Sequence, residues 1–206
     1  MLASTTTAPV VLTARALLLD GTIVNSDAVI ERCWRGWAVS HGLDPQQALK
    51  VVYGRLGHAT MVVPLLDRPM EVNHVEMLAR ETAHTDGVVP VARAPAFLAA
   101  LDGLPHALVT SADTARATAA SVGASKPDPE GFLKGTAALG MDSADCIVFE
   151  DSAAGIAAGR GGGHAGHRHG PRAAAHAPTA HVPDLTGLIV AAAADGSILV
   201  TLHPRD

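Results

Sequence analysis

The sequence predicts an α/β fold built on a parallel sheet. Three short apolar runs carry that prediction. Ala16–Leu19 ends at Asp20, the run after His106 ends at Thr110 and Ser111, and the run after Cys146 ends at Glu150 and Asp151. Each run is too short and too evenly apolar for an amphipathic helix, and each gives way to a turn or helix start, as a strand buried on both faces does. Strands alternating with helical segments imply a parallel sheet. In such sheets ligands sit outside the carboxyl ends of the strands, where Asp20, Thr110 and the Glu150–Asp151 pair fall.

Composition bounds the class. With 206 residues and 48% hydrophobic content, the chain can bury the core of one domain, or of one domain with a small insert. Aromatics at 3% leave small aliphatics to build that core. The formal net charge of −5, without a basic run, invites neither nucleic acid nor an anionic membrane surface. No apolar run reaches membrane-spanning length. Cys33 and Cys146 lie far apart and read as buried thiols of a reducing compartment. Met1 to Thr13 lacks a basic n-region and reads as a loose lead-in, so a cytoplasmic protein is expected.

Taken in order, Gly21 allows an unusual backbone angle after Asp20, and Ser26 is placed to cap a helix with Asp27 in its first turn. From Ser26 to His41, the residues Ile30, Cys33, Trp34, Trp37, Ala38 and His41 recur at helical spacing, and Gly42 ends the helix. Pro45 to about Thr85 reads as helical, broken by Gly54, Gly57, Pro64 and Pro69. Within it Arg55 is either a solvated helix-end residue or a contact for an oxyanion, which its planar donor fork suits. Asp86–Pro90 is a turn. Val91–Leu101 is an apolar-faced helix, and His106–Ala112 a strand that ends in hydroxyls. Ser111 and Ala112 then offer amides at a helix start, a natural anion site. Lys126-Pro127-Asp128-Pro129 precedes a helix over Glu130–Leu139. Gly159 to Gly170, rich in Gly and His, predicts loop or disorder. Leu188–Ala191 and Ile198–Leu202 flank Asp195-Gly196 as a hairpin.

Leu17-Leu18-Leu19-Asp20-Gly21-Thr22-Ile23-Val24-Asn25-Ser26 resembles the first motif of the haloacid dehalogenase superfamily. That motif carries two Asp residues ahead of Gly-Thr, the first a nucleophile and the second a general acid/base. This chain has one. Counted back from Gly21, Asp20 matches the acid/base and Leu18 the nucleophile. Counted forward along the strand, Asp20 matches the nucleophile, with two residues missing after it. Thr110 resembles the hydroxyl residue of the second motif, Lys126 the lysine of the third, and Glu150-Asp151 the acidic fourth. The link from Thr110 to Lys126 is shorter than this family's helix plus strand by about ten to twenty residues.

The resemblance implies a Rossmann-like core over residues 1–25 and 87–206, with a small α-helical cap over 26–86. It implies a phosphatase acting on a small phosphorylated metabolite, a sugar or polyol phosphate, through an aspartyl phosphate. Catalysis would rest on Asp20, Thr110 and Lys126. Ser111, Ala112 and Arg55 would bind substrate, and Asp20, Glu150 and Asp151 would hold Mg²⁺. A monomer or weak dimer is expected. Two other readings fit the motifs: a β-phosphoglucomutase-like phosphomutase, and a phosphate-binding relic with an impaired first motif.

Overall fold

The computed structural model describes residues 9–49, 70–110, 123–124, 126–169, 180–182 and 184–203. Five strands form a parallel sheet in the order β5-β2-β6-β7-β8. They are β2 (Ala16–Leu19), β5 (His106–Leu108), β6 (Cys146–Glu150), β7 (Ala165–His169) and β8 (Ala180–Val182). The central strands β2 and β6 are buried at every position, which is why their sequences read as unbroken apolar runs. Alternate residues serve opposite faces. Leu17, Leu19, Ile147 and Phe149 pack with Phe97 and Leu101 on one side. Ala16, Leu18, Cys146 and Val148 pack with Phe132 and Ala158 on the other. Phe97 belongs to α4 (Ala94–Ala100), Phe132 to α5 (Glu130–Ala138) and Ala158 to α6 (Ala153–Gly161).

A second, antiparallel sheet covers the first face. Its order is β1-β10-β9, from β1 (Val10–Ala14), β9 (Leu188–Ala192) and β10 (Ile198–Leu202). The expected hairpin at Asp195-Gly196 is present, with Ile198 opposite Ala192. Ile198, Val200 and Leu202 alternate inward onto the core. The lead-in expected before Thr13 is corrected here: Val10–Ala14 pairs with β10 along its full length. Its partner lies at the far end of the chain, so no local pattern points to the pairing.

Three helices make a separate apolar cluster. In α1 (Asp27–Ser40) and α2 (Pro45–Leu49), the side chains of Val29, Cys33, Trp34, Trp37, Ala38 and Ala48 bury against Met77 of α3 (Met70–Ala83). The tryptophans meet edge-on at 5.7 Å. Glu76 ties α3 to α1 by accepting from His41 at 3.0 Å, while Arg80 reaches Ser40 at 3.1 Å. Gly42 adopts φ +68 where α1 ends, as a residue just past a helix end does. Ser26 starts the helix without a side-chain cap; the Asn25 carboxamide oxygen accepts from the Asp27 amide instead. A short ladder, β3 (Val24–Asn25) against β4 (Val89–Pro90), joins the chain on either side of these helices.

The Gly/His-rich stretch is also corrected. Helix α6 runs to Gly161, and Ala165–His169 is a strand between β6 and β8, in register with both. Its residues are poor strand formers, but β6 pairs with it over 165–168 and β8 over 167–169. Strand preference yields to such context. Helix α4 starts at Ala94, not Val91, and β5 ends at Leu108, short of the hydroxyls. The shortened link before Lys126 lies mostly outside the described residues. Among the described strands β5 stands at the end of the sheet, so a strand missing after it leaves an edge, not a gap.

His164 fastens the turn between α6 and β7. It is 6% exposed, pairs through Nε2 with the Thr136 hydroxyl at 2.8 Å, and faces the Gly159 carbonyl. Burial pushes its pKa below the usual 6.5, against a smaller opposing pull from that carbonyl. Below pH 6.5 the unfolded chain therefore binds the proton that the folded chain refuses. This contribution to stability is complete above pH 6.5 and drains away as pH falls below it. Thermal melts of wild type and His164→Gln at stepped pH should give a steeper acid-side loss for wild type. Equal slopes would remove His164 from the account.

Candidate active site

The carboxyl end of the parallel sheet gathers the acids. Asp20 leaves β2 one residue past the Leu19–Phe149 pair, and its amide donates to the Phe149 carbonyl at 3.0 Å. It therefore stands beside Glu150, the last residue of β6. Leu18 lies inside the sheet, fully buried, paired with Ala107 and Val148.

Lys126 joins the two acids. Its ammonium pairs with Asp20 Oδ2 and lies 2.7 Å from Glu150 Oε2, with all three side chains largely buried. It also sits 4.7 Å from the centre of the Phe132 ring, on the ring's negative face. The second oxygen of each acid is held by the backbone or by Ser152. Asp20 Oδ1 accepts from the Gly21 amide at 2.8 Å. Glu150 Oε1 accepts from the Ser152 amide at 2.9 Å, the Ser152 hydroxyl at 2.7 Å and the Asp151 amide. Ser152 in turn caps α6 by accepting from the Gly155 amide.

Two glycines make room for this arrangement. A Cβ on Gly21, whose φ is +58, would overlap the Asp151 carboxylate. A Cβ on Gly155 would overlap the carboxylate of Glu150. Asp151 is thus seated against the backbone of the residue after Asp20, and only the bare Gly21 admits it.

Glu130 anchors the residues leading to Lys126. Its carboxylate accepts from the amides of Gly123 and Ala124, the latter at 2.6 Å, and pairs with Lys134. These contacts, the Gly123 amide foremost, hold its pKa down to about 2. Thr110 is exposed two residues beyond β5, and its neighbour Val109 donates to the Leu19 carbonyl at 2.9 Å, which sets that segment alongside β2. Arg55, Ser111 and Ala112 lie outside the described residues.

Of the residues singled out by sequence, Asp20, Lys126 and Glu150 are in direct contact, and Asp151 adjoins them through Gly21. Sequence reasoning missed Ser152, Phe132 and Glu130. Ser152 carried a signal, a helix-capping residue directly after the acid pair. The other two depend on contacts that close only in the fold.

Among the described residues three carboxylates stand against one ammonium, so this cluster is negative and a phosphate would meet repulsion there without a further cation. All the donors are hard oxygens, and Asp20 with Asp151 supplies the one or two carboxylates that Mg²⁺ ordinarily takes from a protein. The donor set and the cradle at Gly21 therefore fit that ion. Glu150 has both oxygens engaged by Lys126, Ser152 and the backbone. Among the described residues no three or more His, Cys, Asp or Glu side chains form a group able to hold a metal by themselves. No helix among them is long and apolar enough to cross a membrane.

Comparison with known proteins converges on one family. A profile of haloacid dehalogenase-like hydrolases matches residues 19–163. Hexitol phosphatase A of Escherichia coli (strain K12) is 33% identical over 168 residues, which is 70% of this chain and 77% of that protein. Among solved structures, a hydrolase from Pseudomonas syringae superposes with a TM-score of 0.70 at 16% identity, over 82% of this chain and 94% of the other. β-Phosphoglucomutase from Clostridium difficile gives 0.66 at 15% identity, over 83% and 91%. At such identities the structures speak for the fold alone.

Proposed function

Since the chain belongs to the haloacid dehalogenase-like hydrolase family, we propose that it is a Mg²⁺-dependent phosphatase of small sugar or polyol phosphates, with Asp20 as its nucleophile. The observation that carries this reading is the Lys126 ammonium bridging Asp20 and Glu150 at the carboxyl end of the sheet. Asp20 occupies the strand end, whereas Leu18, the other position that the motif allows, is sealed in the sheet and has no nucleophilic atom.

In this reading an Asp20 oxygen attacks phosphorus as the phosphorus–oxygen bond to the sugar or polyol breaks, the alcohol leaves with a proton, and water then hydrolyses the aspartyl phosphate to inorganic phosphate and the restored Asp20 carboxylate. Lys126 offsets the charge that gathers on the transferring group and keeps the Asp20 carboxylate oriented. Glu150, locked by Ser152, positions Lys126. Asp20 and Asp151 would hold Mg²⁺, which supplies charge neutralisation at the phosphoryl oxygens. The Thr110 hydroxyl and the amides of Ser111 and Ala112 would bind those oxygens. Helices α1 to α3, with their own apolar cluster, would form the cap, and Arg55 on it would meet the substrate.

The test is release of inorganic phosphate from a panel of hexitol, pentitol and hexose phosphates. Turnover that stops on chelation and returns with Mg²⁺ is expected. A folded protein that releases no phosphate from any of them would overturn the reading.

A further inference from the structure

The first turn of α5 holds Lys126 at both of its ends. The ammonium lies 4.7 Å from the centre of the Phe132 ring, and Phe132 is itself buried against Leu18 and Val148 of the sheet. The backbone of Lys126 runs into the same turn through Pro127 and Pro129, whose rings fix φ and leave few free torsions. The residues before Lys126 are tied there as well. Glu130 Oε2 accepts from the Ala124 amide at 2.6 Å, and the Gly123 amide donates to the same carboxylate. An ionised acceptor on backbone amides makes a bond about twice as strong as a neutral one. These amides also hold the carboxyl down to about 2, so the clasp stays closed through the neutral pH range. Asp128 completes the turn by accepting from the Glu130 amide at 2.9 Å. The chain from Ala124 to Glu130 is thus closed into a loop, and Lys126 rides on it.

We propose that Glu130 is a positioning residue for phosphoryl transfer: by clasping the Gly123 and Ala124 amides it closes the loop that presents Lys126 to Asp20. This rests on the reading of Lys126 as the group that offsets charge on the transferring phosphoryl. An ammonium serves that charge only if it stands in place as the bond breaks, and a displacement of about 1 Å costs about 100-fold. Glu130 acts through Lys126 and not on the substrate. With the clasp open, Lys126 still feels Glu150, the more deeply buried of its two acids, while its hold on Asp20 at the rim slackens. The ion pair of Glu130 with Lys134, 2.7 Å long, has a different standing. The Lys134 side chain is 47% exposed, and an ion pair so open to solvent contributes little. The amide clasp, not this pair, is what sets the loop.

The experiment uses the whole chain with Mg²⁺ and 4-nitrophenyl phosphate as the probe, with circular dichroism on every sample. Glu130→Ala should lose about 10- to 100-fold in kcat while KM moves by no more than about threefold. Glu130→Gln keeps one carbonyl acceptor for the amides, keeps the shape of the side chain, and should recover part of the loss. Lys134→Ala leaves the clasp closed and should match wild type. In the Lys126→Met background Glu130→Ala should cost nothing more, because its effect passes through that ammonium. A second reading needs no turnover: acetylation of Lys126 by an N-hydroxysuccinimide ester, followed by peptide mass spectrometry, should quicken by about threefold or more in Glu130→Ala. Unchanged kcat and unchanged acetylation in a folded Glu130→Ala, or full extra loss in the Lys126→Met background, would overturn the inference and leave the phosphatase reading intact. A folded wild type that releases no phosphate from this probe or from the sugar and polyol panel would overturn the phosphatase reading and the inference with it.

Discussion

Replacing Asp20 by asparagine removes turnover, by at least about 10,000-fold, while the protein stays folded. The substitution keeps the shape of the side chain and the contact with the Gly21 amide, but takes away the charge of the proposed nucleophile. Lys126 retains Glu150, so no buried ammonium is stranded. Unfolding in urea should therefore move by no more than about 1–2 kcal/mol. Asp20→Ala belongs beside it, because an asparagine ahead of Gly21 can hydrolyse back to aspartate and return a trace of activity. Circular dichroism and a phosphate-release assay on the same samples decide the matter. A folded variant that keeps more than a few per cent of wild-type kcat would take the nucleophile away from Asp20.

Lys126→Met is expected to damage both stability and catalysis. The Lys126 side chain is 8% exposed, Asp20 12% and Glu150 2%, so this cluster has little solvent to screen it. Without the ammonium, two carboxylates face each other in a largely dry site. Breaking a buried pair from one side costs about 3–5 kcal/mol, most of it the strain of leaving charge uncompensated. The double variant Lys126→Met with Glu150→Gln should recover part of that loss, since it relieves the repulsion. Urea denaturation of the two single variants and the double variant measures the coupling. In the phosphatase assay kcat should drop by about 100- to 1,000-fold, the usual effect of removing one preorganised charge from the transferring group. Stability unchanged within error would mean that the Lys126 contacts contribute nothing to holding the site.

Much of this was legible in the chain itself. Ala16–Leu19 and Cys146–Glu150 announced buried parallel strands because each is apolar on both faces and runs into an acid, Asp20 after the first and Glu150 at the end of the second. The α1 stripe announced itself through Trp34 and Trp37. Local pattern failed where the partner was distant or the residues were atypical. Val10–Ala14 has no alternation to mark it and becomes a strand only against β10. Ala165–His169 has no strand preference of its own and takes its form from β6 and β8. At the site, a lone Asp in the first motif left two registers open. Leu18 is inside the sheet and Asp20 at its rim, which supports the proposal that Asp20 is the nucleophile. The Glu150–Ser152 lock and the Gly21–Asp151 fit depend on distances that no spacing rule conveys.

The pairing of β1 with β10 bears on how the molecule assembles. Val10 lies opposite Leu202, so this ladder closes a loop of about 190 residues. Contacts of such sequence separation form late, after closer-range pairings have shortened the effective loop. The parallel sheet and the helices can organise first, with the β9–β10 hairpin forming locally beside them. Strand β1 then pairs along the open edge of β10, whose Val200 and Leu202 face the core. Until it does, a newly made chain carries an open apolar edge, and that interval is when it is most exposed to aggregation.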